Sequence, residues 1–108
     1  MKEVVERLQR LGAVFRSLEP VDLKKLGTRK KVTLYLGVDT KGYYTMIMTL
    51  KKKSRILRKE ATELMTLHDK LEQQMQTKIK KKYLFVEAPI CSKAKALLEN
   101  EGWVVEVS

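Results

Sequence analysis

The chain has 108 residues, 44% of them hydrophobic and 33% charged, and its 23 lysines and arginines against 13 acidic residues give a net charge of +10. This balance excludes a disordered polar chain and predicts a single globular α/β domain over residues 1–108. The charge favours a polyanionic partner, first nucleic acid and then an acidic protein or lipid surface.

Cysteine, histidine and long apolar stretches are scarce. Cys91 is the single cysteine, which excludes an internal disulfide and a cysteine-rich zinc site. With one histidine as well, we predict neither a metal nor a cofactor. The N-terminus lacks the unbroken apolar region of a signal peptide, and no run approaches the roughly 20 apolar residues of a spanning helix. We therefore expect a cytoplasmic protein without a membrane partner.

The first half of the chain predicts a helix followed by a hairpin. Apolar residues at helical spacing predict an amphipathic helix over about residues 2–17, which Pro20 ends because the residue before a proline is disfavoured in helices. Residues 31–38 and 43–50 then alternate apolar and polar side chains, as half-buried strands do. Asp39 opens the turn and a glycine follows three residues later, so we predict an antiparallel hairpin.

A long helix is predicted over residues 55–79, with a seam of apolar residues and one histidine at heptad-like spacing. The seam that could contact a second copy contains Leu57, Leu64, His68, Leu71 and Met75. A straight helix of this length, roughly 37 Å, exceeds the width expected of such a domain. The helix therefore breaks near residues 73–74, projects, or packs on a second copy as a homodimer; the alternative is a buried crossover helix. A histidine on such a seam is typical of a core or an interface.

The C-terminal part predicts a strand, a helix and a last strand. The predicted strand over residues 82–87 contains a continuous apolar run over residues 83–86. Ser92 caps a short helix that Gly102 closes, and residues 103–107 form the final strand. So short a connection makes a right-handed unit with parallel strands. The fold class is thus α/β (α+β) with the order α-β-β-α-β-α-β: a mixed sheet containing an antiparallel hairpin and a C-terminal parallel βαβ unit, with helices packed on the sheet.

Basic residues cluster where the hairpin begins and ends. The predicted nucleic-acid-binding residues are Arg29, Lys30, Lys31, Lys51, Lys52, Lys53 and Arg55. Antiparallel pairing brings the two groups together, and their combined charge would attract phosphates without sequence preference. The alternative is a solvated surface. A further run, residues 78–82, lies at the far end of the long helix.

The turn over residues 87–93 is a second candidate site. It follows a buried parallel strand and opens a helix, which is where α/β sheets bind ligands. Free amides at the helix start make Cys91, Ser92 and Lys93 a candidate anion site, and the same surroundings would lower the pKa of the cysteine. The competing interpretation is that Cys91 is a small buried hydrophobe.

The order of helix, hairpin, helix and strand, followed by a helix starting at Ser92 and a last strand, resembles the restriction-endonuclease-like core. The resemblance implies an Asp on one strand and a Glu-x-Lys on the next, which together bind a divalent metal that activates water. Asp39 stands near the first position and Lys51 at that of the lysine. Thr49 occupies the position of the Glu, and Asp39 falls in the turn. Glu87 is a further carboxylate candidate.

Three functions follow from these features. The first is a small non-catalytic nucleic-acid-binding protein that contacts phosphates through the basic clusters. The second is a protein-interaction module that dimerises through the helix over residues 55–79. The third is a metal-dependent nuclease-like enzyme using Asp39, Lys51 and Glu87.

Overall fold

The computed structural model describes residues 2–12, 15–26 and 32–107. These residues contain the predicted α-β-β-α-β-α-β series and one further strand near its start. The elements are α1 (Lys2–Arg10), β1 (Phe15–Pro20), a short 3-10 helix (Leu23–Leu26), β2 (Thr33–Asp39), β3 (Tyr44–Lys51), α2 (Arg58–Met75), β4 (Lys81–Glu87), α3 (Ser92–Asn100) and β5 (Trp103–Val107).

The strands form one mixed sheet in the order β1-β2-β3-β4-β5. β1, β2 and β3 pair antiparallel, and β3, β4 and β5 pair parallel. The antiparallel hairpin and the C-terminal parallel βαβ unit are therefore confirmed. Because β3 and β4 run in the same direction, α2 must cross from one end of the sheet to the other between them.

The first helix is shorter than the predicted range of residues 2–17 and ends at Arg10. Gly12 follows with φ 76°, a left-handed backbone that glycine adopts without strain and that stops a helix. In β1 the half-buried positions, Phe15 and Leu18, are three residues apart because the register shifts between Phe15 and Ser17. That spacing imitates a helix, which is why the sequence pattern missed this edge strand.

Two apolar layers lie on the two faces of the sheet. The face that packs on α2 and α3, here the α2 face, includes Leu34, Met46, Met48, Leu64, Leu84, Leu98 and Trp103. The opposite face, here the α1 face, includes Tyr35, Ile47, Tyr83 and Phe85 with Leu8 of α1. Side chains alternate between the faces along each strand, so odd-numbered residues of β3 and β4 point to the α1 face.

The long helix α2 spans Arg58–Met75 rather than residues 55–79, and ends at Gln76 with φ 56°. Its 18 residues fit the 35 Å long axis of the chain. Leu64, His68 and Leu71 are buried against the sheet. The centre of the predicted dimer seam therefore packs inside one chain, and the buried crossover helix is the alternative that the structure shows.

No helix in the described ranges combines the length and the apolar character that crossing a membrane requires.

Candidate active site

Lys51 and Glu87 lie side by side at the ends of β3 and β4, on the α1 face. The parallel register pairs them, and Lys51 Nζ lies 4.0 Å from Glu87 Oε2. Arg7 of α1 reaches the other carboxylate oxygen, donating from its guanidinium to Oε1 at 3.4 Å. One carboxylate thus lies between two cations. We call these three residues the Lys51 cluster, whose formal charge is positive.

The three side chains of the Lys51 cluster differ in solvent exposure and in their contacts. The Lys51 side chain is 87% exposed, whereas that of Arg7 is 23% exposed. The Arg7 guanidinium also lies over the Phe85 ring, 5.5 Å from its centroid, a cation–π contact that restricts it. An exposed pair such as Lys51–Glu87 is weak. Lys51 is therefore the most accessible cation of the cluster, while Arg7 contacts both Glu87 and Phe85.

The other basic residues at the hairpin base do not all join this cluster. Lys52 points to the α2 face and forms an ion pair with Glu60 of α2. Lys53 and Arg55 are exposed in the connection to α2. The predicted partners on the entering side, Arg29, Lys30 and Lys31, lie outside the described residues. Of the predicted nucleic-acid-binding residues, Lys51 therefore belongs to the Lys51 cluster, whereas Lys52 lies on the α2 face.

Asp39 lies at the opposite end of the hairpin from Lys51. Its Oδ1 accepts hydrogen bonds from the backbone N–H groups of Lys41 and Tyr43, both at 2.9 Å. The bond from Tyr43 is the main reason why the pKa of the Asp39 carboxyl is lowered. β3 separates the two ends by roughly 23 Å at 3.3 Å per residue. Asp39 shapes the turn, and the structure does not bring it together with Lys51 and Glu87.

The turn before α3 positions Cys91 as the helix cap. α3 starts at Ser92, so the residue predicted as the cap is instead the first residue of the helix. The backbone N–H groups of Ala94 and then Lys93 lower the pKa of the Cys91 thiol, with a smaller contribution from the charge of Arg55. The half-buried cysteine is on the side of the sheet where α3 packs, away from the Lys51 cluster.

His68 is a core residue of α2. Its Nδ1 lies 3.4 Å from Asp69 Oδ1 and its Nε2 3.5 Å from Glu72 Oε2, and its ring meets Trp103 edge-on at 6.1 Å. The sequence predicted that His68 lies either in the core or at an interface. It lies in the core, since it is 8% exposed. Leu57, at the start of the predicted seam, is 55% exposed, and Met75 is partly buried.

The sequence analysis did not single out Arg7, which belongs to the Lys51 cluster, or Glu106, which lines a cavity together with Arg7. Arg7 looked like one of several charged residues on the polar side of a helix, and Glu106 like a polar position in the last strand. Glu106 pairs with Phe85 in register and therefore shares the α1 face. Both residues line a cavity of about 210 Å³ between α1 and the C-terminal strands. The alternation of a buried Val105 with an exposed Glu106 could have indicated the face on which Glu106 lies. Nothing in the sequence pattern indicated that Arg7 contacts Glu87.

The chain shares its fold with solved structures that include a repair endonuclease, which supports the weak resemblance to the restriction-endonuclease-like core. Solved structures similar to the chain include EndoMS in its apo form, with a TM-score of 0.56 and 20% identity over 99% of this chain and 45% of that one. A repair endonuclease from Pyrococcus abyssi matches with a TM-score of 0.54 and 15% identity, covering 98% of this chain and 45% of that one. An EndoMS–dsDNA complex matches with a TM-score of 0.52 and 21% identity, over 99% and 43%.

No protein-family model and no curated protein matches the chain. At these identities the structural matches show a shared fold, and the chain spans less than half the length of the structures it matches. One of these structures is described as a repair endonuclease, and another is a complex with dsDNA. This finding contradicts the interpretation of the chain as a non-catalytic nucleic-acid-binding protein.

Proposed function

We propose that the chain is a nuclease-like enzyme that acts on the phosphodiester backbone of DNA, with the Lys51 cluster as its site. The observation that carries the proposal is the register pairing of Lys51 with Glu87 on the α1 face, with Lys51 Nζ 4.0 Å from Glu87 Oε2. The fold is shared with EndoMS and with a repair endonuclease. One structural neighbour is described in complex with dsDNA, and the charge of +10 suits the same substrate. We also propose that the chain acts as a single domain in the cytoplasm.

Each residue of the cluster has a role that its geometry supports. The exposed Lys51 ammonium binds a non-bridging phosphate oxygen and stabilises the charge that grows there in the transition state. Glu87 takes a proton from the attacking water as the new P–O bond forms and the old one breaks, and the leaving oxygen is protonated by solvent. Arg7 touches Glu87 and acts as a positioning residue, since it holds the carboxylate beside the lysine.

The divalent metal of the fold family depends on two carboxylates, and the residues present do not fit that set. Thr49 stands where one carboxylate is expected, half-buried and paired in register with Phe85. Asp39 is engaged in the turn at the other end of the hairpin. Hard cations need several oxygen ligands. The proposed hydrolysis therefore uses the side chains of the Lys51 cluster.

The test is cleavage of a labelled DNA duplex by the purified protein, with added Mg²⁺, with Mn²⁺ and with EDTA. We expect products in all three conditions, and Lys51→Met and Glu87→Gln should each lower the rate by about a hundredfold. Lys70→Met and Glu99→Gln are matched controls, because these residues are exposed on α2 and α3. Rates that do not differ between site and control variants, or an absence of products throughout, would refute the proposal.

A further inference from the structure

A second basic surface lies at the end of the sheet opposite the Lys51 cluster. It contains Lys41 in the hairpin turn and Lys80 and Lys81 at the start of β4, and all three lysines are exposed. β4 brings them together, because Lys81 pairs in register with Thr45 and the Lys80 N–H donates to the Tyr44 carbonyl at 2.9 Å. We call these three lysines with Tyr43 the hairpin-tip patch.

Tyr43 fixes one of the lysines in the hairpin-tip patch. The Lys80 ammonium lies 3.7 Å from the centroid of the Tyr43 ring, and the tyrosine is 46% exposed. An ammonium over an aromatic face is attracted by the ring and loses side-chain freedom without losing its charge. Lys80 is therefore held ready for an anion, which an ordinary flexible surface lysine is not.

The hairpin-tip patch borders a cavity of about 330 Å³ whose other walls include Phe15, Thr45 and Tyr83. Asp39 also lines this cavity. Its carboxylate accepts hydrogen bonds from two backbone N–H groups of the turn, and the charge of Lys80 contributes to lowering its pKa. Among the described residues, no ion pair within 4.0 Å involves the three lysines. The cavity therefore presents three cations against one carboxylate that the turn already engages.

The patch and the Lys51 cluster share one face of the sheet. Thr45 at the cavity and Lys51 at the cluster are both odd-numbered residues of β3, so both point to the α1 face. Thr45 and Lys51 are six positions apart along the strand, which corresponds to roughly 20 Å. This is the length of about six base pairs, at 3.4 Å for each phosphate along one strand.

We propose that the hairpin-tip patch is a second phosphate-binding site, which holds the backbone of the same DNA about six base pairs away from the Lys51 cluster. The inference rests on the proposed function for the identity of the ligand. Phosphate is the chemistry that three clustered ammonium groups recognise, and contacts at both ends of the sheet would fix the direction of the duplex across it.

The experiment compares the triple variant Lys41→Ala, Lys80→Ala, Lys81→Ala with a control of equal charge, Lys24→Ala, Lys59→Ala, Lys70→Ala, whose lysines are exposed on the 3-10 helix and α2. Binding to a labelled duplex of about 20 base pairs is measured by fluorescence polarisation across a salt series. The patch variant should lower the salt slope by about two to three and the affinity at least tenfold, and the control by less than about threefold. Equal losses in both triple variants would overturn the inference.

Two further variants test the role of Tyr43. Tyr43→Phe keeps the aromatic face and should bind like the native protein, whereas Tyr43→Ala should lose part of the affinity that the patch supplies. Thermal unfolding of each variant shows that it is folded. DNA cleavage by the unmodified chain is scored separately. Cleavage with no patch-specific loss of binding refutes this inference alone, and a patch-specific loss with no cleavage refutes the proposed function alone.

Discussion

Lys51 and Glu87 are register partners on parallel strands, and their charged groups lie 4.0 Å apart on the face that α1 partly covers. Neither residue is near the other in the sequence. Their meeting depends on α2 returning the chain to the start of a parallel strand, and on both strands ending at the same edge of the sheet. The candidate site is therefore a product of topology.

Replacing Arg7 with lysine should separate positioning from charge. Lysine keeps the positive charge but cannot reproduce the planar guanidinium that lies over Phe85 and donates to Glu87. We expect kcat for DNA cleavage to fall about tenfold with KM nearly unchanged, because the carboxylate loses its orientation. Steady-state kinetics on a duplex substrate measures both values. Equal changes in kcat for Arg7→Lys and the exposed control Arg16→Lys would contradict the positioning role.

Replacing Asp39 with alanine should destabilise the hairpin in a pH-dependent way. Hydrogen bonds from the turn lower the pKa of this carboxyl below its ordinary value of 3.8. Its contribution to stability is therefore present above that pH and is lost as the pH falls through the lower folded value. Asp39→Ala should have a lower Tm than the native chain at neutral pH, and the gap should close in acid. Glu99→Ala, on the exposed side of α3, is the control; a gap that persists in acid would refute the explanation.

Cys91 should react as a thiolate at a lower pH than an ordinary cysteine. The backbone N–H groups at the start of α3 lower the pKa of its thiol below 9.0. Reactivity depends on the thiolate. The rate of alkylation by iodoacetamide, followed by mass spectrometry across a pH series, should therefore reach half its maximum below that pH. The unfolded chain in urea supplies the reference, and equal midpoints in the two states would count against the cap geometry.

The α2 seam should behave as a monomer core and not as an interface. Leu64 is fully buried, so Leu64→Ala should reduce the free energy of unfolding by about 2–5 kcal/mol. Leu57 is 55% exposed, and Leu57→Ala should change it by less than about 0.5 kcal/mol. Urea unfolding measures both changes. A Leu64→Ala protein whose stability depends on protein concentration would instead indicate a second copy on this helix.

Local sequence patterns were sufficient to predict a helix or strand wherever one face of that element is buried. The alternation of the hairpin strands, the continuous apolar run of β4 and the short final βαβ unit predicted most of the sheet, because each pattern reports burial directly. The pattern failed at β1, where a register shift places Phe15 and Leu18 at helical spacing, and at the ends of α2, where Gln76 stops the helix in a left-handed conformation.

The sequence by itself determined the basic charge, the hairpin, the parallel unit and the presence of Lys51 and Glu87 at strand ends. Only the tertiary structure decided which charges act together. In the structure Arg7 contacts Glu87, and Lys52 pairs with Glu60 on the other face of the sheet. Asp39 lies in the turn at the opposite end of the hairpin from Lys51. The physical reason is that burial leaves a periodic mark in the sequence, whereas contacts between charges depend on strand order and register, which no local pattern records.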